Sequence, residues 1–124
     1  MAELLALYQP NACYAFCMNE AIRNMLEAGF YYHYKHDPSG PDGNYTYEVL
    51  GITKHTEDDS YGVIYRPLYK NEYLDADYFL RPLGMFLETV EKNGAETPRF
   101  AHITDPERIE ELKARRDEMY PHEC

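Results

Sequence analysis

The pattern of hydrophobic and polar positions divides the chain into three parts. Between residues 12 and 28 no glycine or proline interrupts the sequence, and apolar side chains recur at helical spacing from Tyr14 to Met25. This pattern predicts a helix within residues 1–29, with Gly29 as its C-terminal stop.

From residue 30 the period becomes that of a β-strand. The stretch Phe30-Tyr31-Tyr32-His33-Tyr34-Lys35 is rich in β-forming residues, and its alternation places His33 and Lys35 on the same face as Tyr31. Further strands are predicted at residues 45–54, 61–69, 77–81, 85–91 and 97–103. The strands are separated by residues typical of turns, above all at 38–44, 57–60 and 92–95. Asn93-Gly94 is typical of a hairpin turn with positive φ at both central residues.

A second helix is predicted after residue 104. Two start signals overlap there, Asp105 with Pro106 as N-cap and first-turn proline, or Thr104 with Glu107 as a capping box. The helix continues to about Met119. We therefore expect one α+β, mainly β domain over residues 1–124. It consists of a helix at 1–29, a small, mostly antiparallel, SH3-like β-barrel at 30–103, and a helix with a tail at 104–124, with helices only at the two ends.

Composition and charge narrow the classes of function. The formal net charge is −10, and no run of lysine or arginine is present, so bulk nucleic acid and anionic membranes are disfavoured as partners. No apolar run is long enough to span a bilayer, and the N-terminus does not read as a signal peptide. Three cysteines without a disulfide framework favour a reducing, cytoplasmic location. No cofactor motif is present, so we expect none.

Several sequence blocks carry a family resemblance. They are Tyr32-His33-Tyr34-Lys35, Tyr47-Glu48-Val49-Leu50-Gly51-Ile52, His55-Thr56-Glu57, Val63-Ile64-Tyr65-Arg66, Leu68-Tyr69, Arg81-Pro82-Leu83-Gly84-Met85-Phe86, Glu88-Thr89-Val90 and Pro98-Arg99-Phe100. In order and spacing the chain resembles, over roughly residues 29–103, a bacterial family known as domain of unknown function 1653 (DUF1653). This chain differs by the inserted loop at 37–44 and by Phe79-Leu80, where the family tends to carry a tryptophan. The resemblance implies a small antiparallel β domain and no established activity.

The strand-forming region also contains residues able to hold a ligand. Lysine and arginine bind anions, histidine adds a titratable donor, and tyrosine rings stack on planar groups. The candidate ligand-binding residues are His33, Lys35, His55, Tyr65, Arg66, Tyr69 and Arg81. The alternative is that each cation forms an ordinary surface ion pair, and that most tyrosines fill the core.

Arg81 is the most specific of these candidates. It shares a face with Phe79, and Pro82 ends the strand directly after it, so the guanidinium is expected at a rigid strand end. The alternative for Arg81 is an internal ion pair with Glu48 or Glu88.

A metal site is a further, weaker possibility. Cys13 and Cys17 are four residues apart on the predicted helix, but a zinc site would need two more ligands from His33, His36 or Cys124. We therefore expect no metal and no catalytic set.

Three functions remain open from the sequence. The first is a non-catalytic module that binds a small anionic or nucleotide-like ligand, with sequestration of a nucleotide signal as one use. The second is a peptide- or protein-interaction module, in which a protein partner or a homo-oligomer is possible. The third, least favoured, is a small hydrolase with His33 or His55 as general base.

Overall fold

The computed structural model describes residues 21–70 and 76–121. In chain order the elements are β1 (Gly29–His33), β2 (Thr46–Lys54), β3 (Tyr61–Pro67), β4 (Phe79–Pro82), α1 (Leu83–Leu87), β5 (Thr89–Lys92), β6 (Ala95–Pro98), β7 (Phe100–His102) and α2 (Pro106–Met119). Five strands form an antiparallel sheet in the order β4-β3-β2-β1-β7, and β5 pairs with β6 in a separate hairpin. The described part of the chain is therefore mainly β and antiparallel, as predicted.

Alternation along the strands separates the side chains of the sheet onto two faces. On the first, which we call the helix face, Phe30 and Leu68 are buried together with Ile103 and with Leu112 of α2. On the second, which we call the aromatic face, the buried side chains are Tyr31, Tyr47, Val49, Val63, Tyr65, Leu83, Phe86 and Phe100. Phe30 and Tyr31 are neighbours in β1 and lie on opposite faces, which confirms the predicted alternation.

A β-bulge in β2 maintains this separation beyond the middle of the strand. The pairing with β3 shifts between Val49 and Gly51, which leaves Leu50 as the extra residue. One extra residue reverses the alternation that follows it. As a result Ile52 packs against the aromatic face, while Leu50 is 40% exposed.

A buried ion-pair network attaches α2 to the helix face. Glu48 of β2 is 8% exposed, and its Oε1 accepts a hydrogen bond from Arg66 Nε at 2.9 Å. The other carboxylate oxygen accepts one from Arg116 Nη1 of α2 at 3.0 Å. The Arg66 guanidinium also lies 4.1 Å from the ring centroid of Tyr120, which follows the helix. Sheet and helix are thus joined through one carboxylate.

The same helix holds the loop between β1 and β2. Asp42 accepts hydrogen bonds from Arg108 at 3.1 Å and from Arg115 at 3.4 Å, and both arginines belong to α2. Gly43 adopts φ 77° beside this contact, and a Cβ at this position would lie 2.5 Å from the carbonyl oxygen of Leu68. Only glycine fits such a close approach with positive φ. The loop is therefore packed against α2.

Several predicted elements are confirmed. The hairpin turn has φ 53° at Asn93 and 78° at Gly94, as expected for its type. Helix α2 has Asp105 as its N-cap residue and a proline in its first turn, and no side-chain cap bond is formed. No helix in the described ranges is long and apolar enough to cross a membrane.

The prediction that helices occur only at the two ends of the chain is wrong. Residues 85–87 belong to α1 rather than to a fifth strand, and β5 begins only at Thr89. Leu83 and Phe86 are both buried, and residues three apart share a face of a helix but not of a strand. The returning strand is also divided, because β6 and β7 lie in different sheets on either side of Arg99.

Two further expectations differ from the structure. The described strands form an open sheet with β4 and β7 at its edges, so the predicted closed, SH3-like barrel is not confirmed. Gly29 does not stop a helix: the chain is helical at 21–23, and Gly29 opens β1 with φ 144°. The rest of the predicted N-terminal helix lies outside the described residues.

Replacing Glu48 tests the role of the buried network. We expect Glu48→Gln to lower the free energy of unfolding by about 3–5 kcal/mol, because two arginines lose a buried partner. Glu110→Gln is the matched control, since Glu110 pairs with Lys113 on the exposed side of α2 at 3.3 Å and should cost no more than about 0.5 kcal/mol. Equal effects of the two substitutions in urea denaturation would contradict the assignment.

Candidate functional site

Three of the sequence-predicted ligand residues meet around one aromatic ring. The His33 ring packs edge-on against Phe100, with centroids 5.0 Å apart, and the Arg81 guanidinium carbon lies 5.6 Å from the same Phe100 centroid. Arg81 Nε also donates a long hydrogen bond of 3.4 Å to the hydroxyl of Tyr65. His33, Tyr65 and Arg81 therefore converge around Phe100 on the aromatic face.

Tyr69 joins this group through a second tyrosine. The hydroxyls of Tyr69 and Tyr47 are 2.8 Å apart, and the Tyr47 ring packs edge-on against Tyr65 at 5.4 Å. Burial, followed by the hydrogen bond to Tyr69, raises the pKa of Tyr47. The Tyr47 phenol consequently stays protonated at neutral pH and acts as a hydrogen-bonding group.

His33 is neutral and lies in a positive environment. Burial, followed by the nearby charges of Arg81, Lys35 and Arg99, lowers the pKa of His33 to about 4. Its Nδ1 accepts a hydrogen bond from the backbone N–H of Lys35 at 3.2 Å. In a neutral imidazole the other nitrogen then carries the proton. His33 therefore has an Nε2–H that can donate.

Arg81 differs from the other arginines near the sheet in having no carboxylate partner among the described residues. The two acids that the sequence suggested for it are both engaged elsewhere. Glu48 binds Arg66 and Arg116 on the helix face, and Glu88 pairs with Arg99. The alternative of an internal ion pair between Arg81 and either of these acids is therefore not formed in the structure.

Two candidate residues lie away from this group. Arg66 is on the helix face in the Glu48 network, and His55 is in the turn between β2 and β3, where its Nδ1 is 3.5 Å from Asp58. His33 and His55 flank opposite ends of β2, which at the rise of a strand are roughly 25 Å apart. For Arg66 the ion-pair interpretation is the better one, whereas His55 Nδ1 accepts a hydrogen bond from the backbone N–H of Glu57 at 3.2 Å.

Sequence reasoning missed Tyr45 and Arg99. The ring of Tyr45 is 5.7 Å from His33 and 6.0 Å from Tyr69, and its backbone has φ 47°. Arg99 interrupts the returning strand, and its buried Nε has no hydrogen-bond partner within residues 21–70 and 76–121. The predicted strand at 45–54 includes Tyr45 as an ordinary strand residue, so its positive φ was not expected. The predicted strand at 97–103 runs through Arg99 without the interruption that the structure shows.

The residues that converge form one unit, which we call the basic aromatic cluster. Its cations are exposed or half-buried, Tyr45 is 39% exposed, and the rings of Tyr47, Tyr65 and Phe100 are buried. Its members are His33, Lys35, Tyr45, Tyr47, Tyr65, Tyr69, Arg81, Arg99 and Phe100. This combination offers charge-assisted donors beside ring faces, which suits an anion attached to a planar group.

No metal site is visible in the part of the chain that the structure describes. Within residues 21–70 and 76–121 there is no group of three or more histidine, cysteine or acidic side chains able to hold a metal ion. Cys13, Cys17 and Cys124, which we weighed as ligands, lie outside the described residues.

Comparison with known proteins gives one consistent result. The profile of the family described as "Protein of unknown function (DUF1653)" matches residues 29–102. A crystal structure of a DUF1653 protein from Bordetella bronchiseptica is 31% identical, with a TM-score of 0.51, over 64% of this chain and 94% of that protein. No curated protein matches. The basic aromatic cluster lies inside the matched residues, whereas α2 lies beyond them.

The lowered pKa of His33 predicts a specific acid sensitivity. In the unfolded chain His33 binds a proton near its ordinary pKa of 6.5, whereas in the folded chain it does so only near 4. The free energy of unfolding therefore falls as the pH drops between these values. At about 1.4 kcal/mol per pKa unit, the loss approaches ~3 kcal/mol.

We expect His33→Gln to flatten this part of the stability profile, measured by chemical denaturation from pH 7 to pH 4. His55→Gln removes an exposed histidine and should leave the profile parallel to that of the unsubstituted protein. Parallel profiles for both variants would mean that His33 is not held neutral by the fold.

Proposed function

The chain belongs to the DUF1653 family, and we propose that it is a non-catalytic module that binds a small anionic ligand at the basic aromatic cluster. One observation carries the proposal. In a chain of net charge −10, Arg81 lies against aromatic rings without a carboxylate partner among the described residues. An arginine in this position is available for an anion from outside the chain.

The surroundings of Arg81 favour an anion. Lys35 and Arg99 lie near enough to His33 to lower its pKa together with Arg81, so three cations act on one small region. Arg81 belongs to β4 and is followed by Pro82, and a guanidinium on a strand can present two parallel N–H groups to a phosphate or carboxylate. The neutral Nε2–H of His33 adds a donor without adding charge.

The rings favour a ligand with a planar part. Tyrosine faces beside cations suit a nucleotide-like molecule better than a bare inorganic ion. Sequestration of a nucleotide signal in the cytoplasm would be one use of such a module, because it requires affinity and no turnover.

The geometry favours binding over hydrolysis. A histidine with a pKa of about 4 is a weak base at neutral pH, which makes His33 a poor general base. His55 lies at the far end of β2 and cannot assist it. Within the described residues the cluster thus supplies donors and ring faces rather than an acid–base pair.

A protein-interaction module is the second candidate, and an edge of the sheet favours it. Strand β4 has no neighbour on its outer side among the described residues, and Leu80 within it is 62% exposed. A cleft of about 400 Å³ lies beside it, between Leu80, Pro82 and the turn that contains His55. An extended peptide could add to such an edge.

Calorimetry with Arg81→Gln distinguishes the two candidates. We expect the unsubstituted protein to bind adenosine 5′-monophosphate or inorganic phosphate, and Arg81→Gln to weaken binding by roughly 10- to 150-fold. The unfolding midpoint of the variant without ligand should change little. The ligand should be recovered chemically unchanged after long incubation.

Arg66→Gln is the control on the opposite face of the sheet. It should lower stability, because it breaks the Glu48 network, and leave the dissociation constant unchanged at a temperature where the variant is folded. Three results would count against the proposal: equal loss of affinity in both variants, a large drop in the Arg81→Gln midpoint, or conversion of the ligand to product.

A further inference from the structure

We propose that Tyr45 is the stacking platform of the basic aromatic cluster, and that the ligand is a phosphate joined to a planar heteroaromatic ring. This inference rests on the proposed anion site and adds the class of ligand. It starts from the backbone of Tyr45 rather than from the cations.

The backbone of Tyr45 is in an unusual conformation. Its φ of 47° lies in the left-handed region, which bulky side chains rarely adopt and which costs conformational free energy. The surrounding hydrogen bonds hold it there. The Tyr45 carbonyl accepts the N–H of His33 at 2.9 Å, and the N–H of Thr46 reaches the Gly43 carbonyl at 3.2 Å. Such costly conformations are concentrated at functional sites.

Tyr45 is much less buried than the tyrosine at the start of β2. Tyr45 is 39% exposed, whereas Tyr47, two residues later, is 8% exposed and fills the aromatic face. An asparagine or glycine would satisfy the same backbone with less strain. The conformation therefore holds a half-open ring at the border of the cluster, where little is gained from burial.

The ring of Tyr45 faces the cluster. It lies nearly parallel to His33, at 28° between the planes and 5.7 Å between the centroids, and 6.0 Å from Tyr69. Tyr45 is also 39% exposed, and we infer that the exposed part of this electron-rich ring can contact a planar group.

The order of the side chains indicates the shape of the ligand. Tyr45 lies next to His33, His33 packs on Phe100, and Arg81 lies over the same Phe100 ring. A ligand that touches Tyr45 and Arg81 must extend past His33. A nucleoside monophosphate has this form, because a sugar separates its base from its phosphate.

The test compares phosphate ligands with and without a heteroaromatic base. Each ligand is measured on the unsubstituted protein and on two Tyr45 variants. Adenosine and uridine 5′-monophosphates carry both groups, and ribose 5-phosphate carries the phosphate and sugar alone. In calorimetry we expect the unsubstituted protein to bind at least one of the two nucleotides about 10-fold more tightly than ribose 5-phosphate, as base stacking on tyrosine should provide.

Tyr45→Asn and Tyr45→Phe form the matched pair of variants. Asparagine tolerates the left-handed backbone, so Tyr45→Asn should keep or raise the unfolding midpoint, lose about 10-fold in nucleotide affinity and leave ribose 5-phosphate binding unchanged. Tyr45→Phe keeps the ring and should bind nucleotides within about twofold of the unsubstituted protein.

The outcomes separate this inference from the anion site itself. Equal affinity of nucleotides and ribose 5-phosphate, or an unchanged nucleotide affinity in Tyr45→Asn, would overturn the role of Tyr45 and leave the anion site standing. Failure of all three ligands to bind would overturn both. If Tyr45→Asn does not fold, the ligand comparison on the unsubstituted protein decides.

Discussion

The carboxylate of Glu48 is buried between two guanidinium groups, and the arrangement of both faces of the sheet depends on it. Through Arg116 it holds α2 against the helix face, and through Arg66 it neutralises the middle of that face. The same helix binds Asp42 and so fixes the loop that leads into β2. Tyr45 is the last residue of this loop and lies three residues after the contact of Asp42 with α2.

The distribution of arginine ion pairs distinguishes the two faces. On the helix face and along α2, arginines are paired with carboxylates, because an acidic chain offers more carboxylates than cations. On the aromatic face Arg99 pairs with Glu88, while Arg81 lies on a phenylalanine ring without such a partner among the described residues. Net repulsion opposes long polyanions, but charges on distant surfaces are screened over about 10 Å at ordinary ionic strength. The strongly negative net charge is therefore compatible with the small anion that we propose beside Arg81.

Much of the fold could be predicted from the sequence, because local patterns determine it. Alternation assigned Tyr31 and His33 to one face, Asn93-Gly94 determined a hairpin turn, and Asp105-Pro106 started a helix. The short helix α1 could not be predicted, because a five-residue apolar segment has no distinct period. Which residues lie close together across the sheet could not be predicted either. Residue type grouped His55 with His33, but the structure places them at opposite ends of β2. The positive φ of Tyr45 had no signal beyond its place after a turn.

The central claim is that Arg81 is held ready for an external phosphate, and the most direct measurement is an NMR titration of the arginine Nε–H groups. With a nucleoside monophosphate, the Arg81 Nε–H signal should shift in a saturable way, together with the ring protons of His33, while the signals of Arg66 and Arg116 in the Glu48 network stay in place. Saturable shifts at Arg108 or Arg115 near the loop, with Arg81 unaffected, would contradict the account.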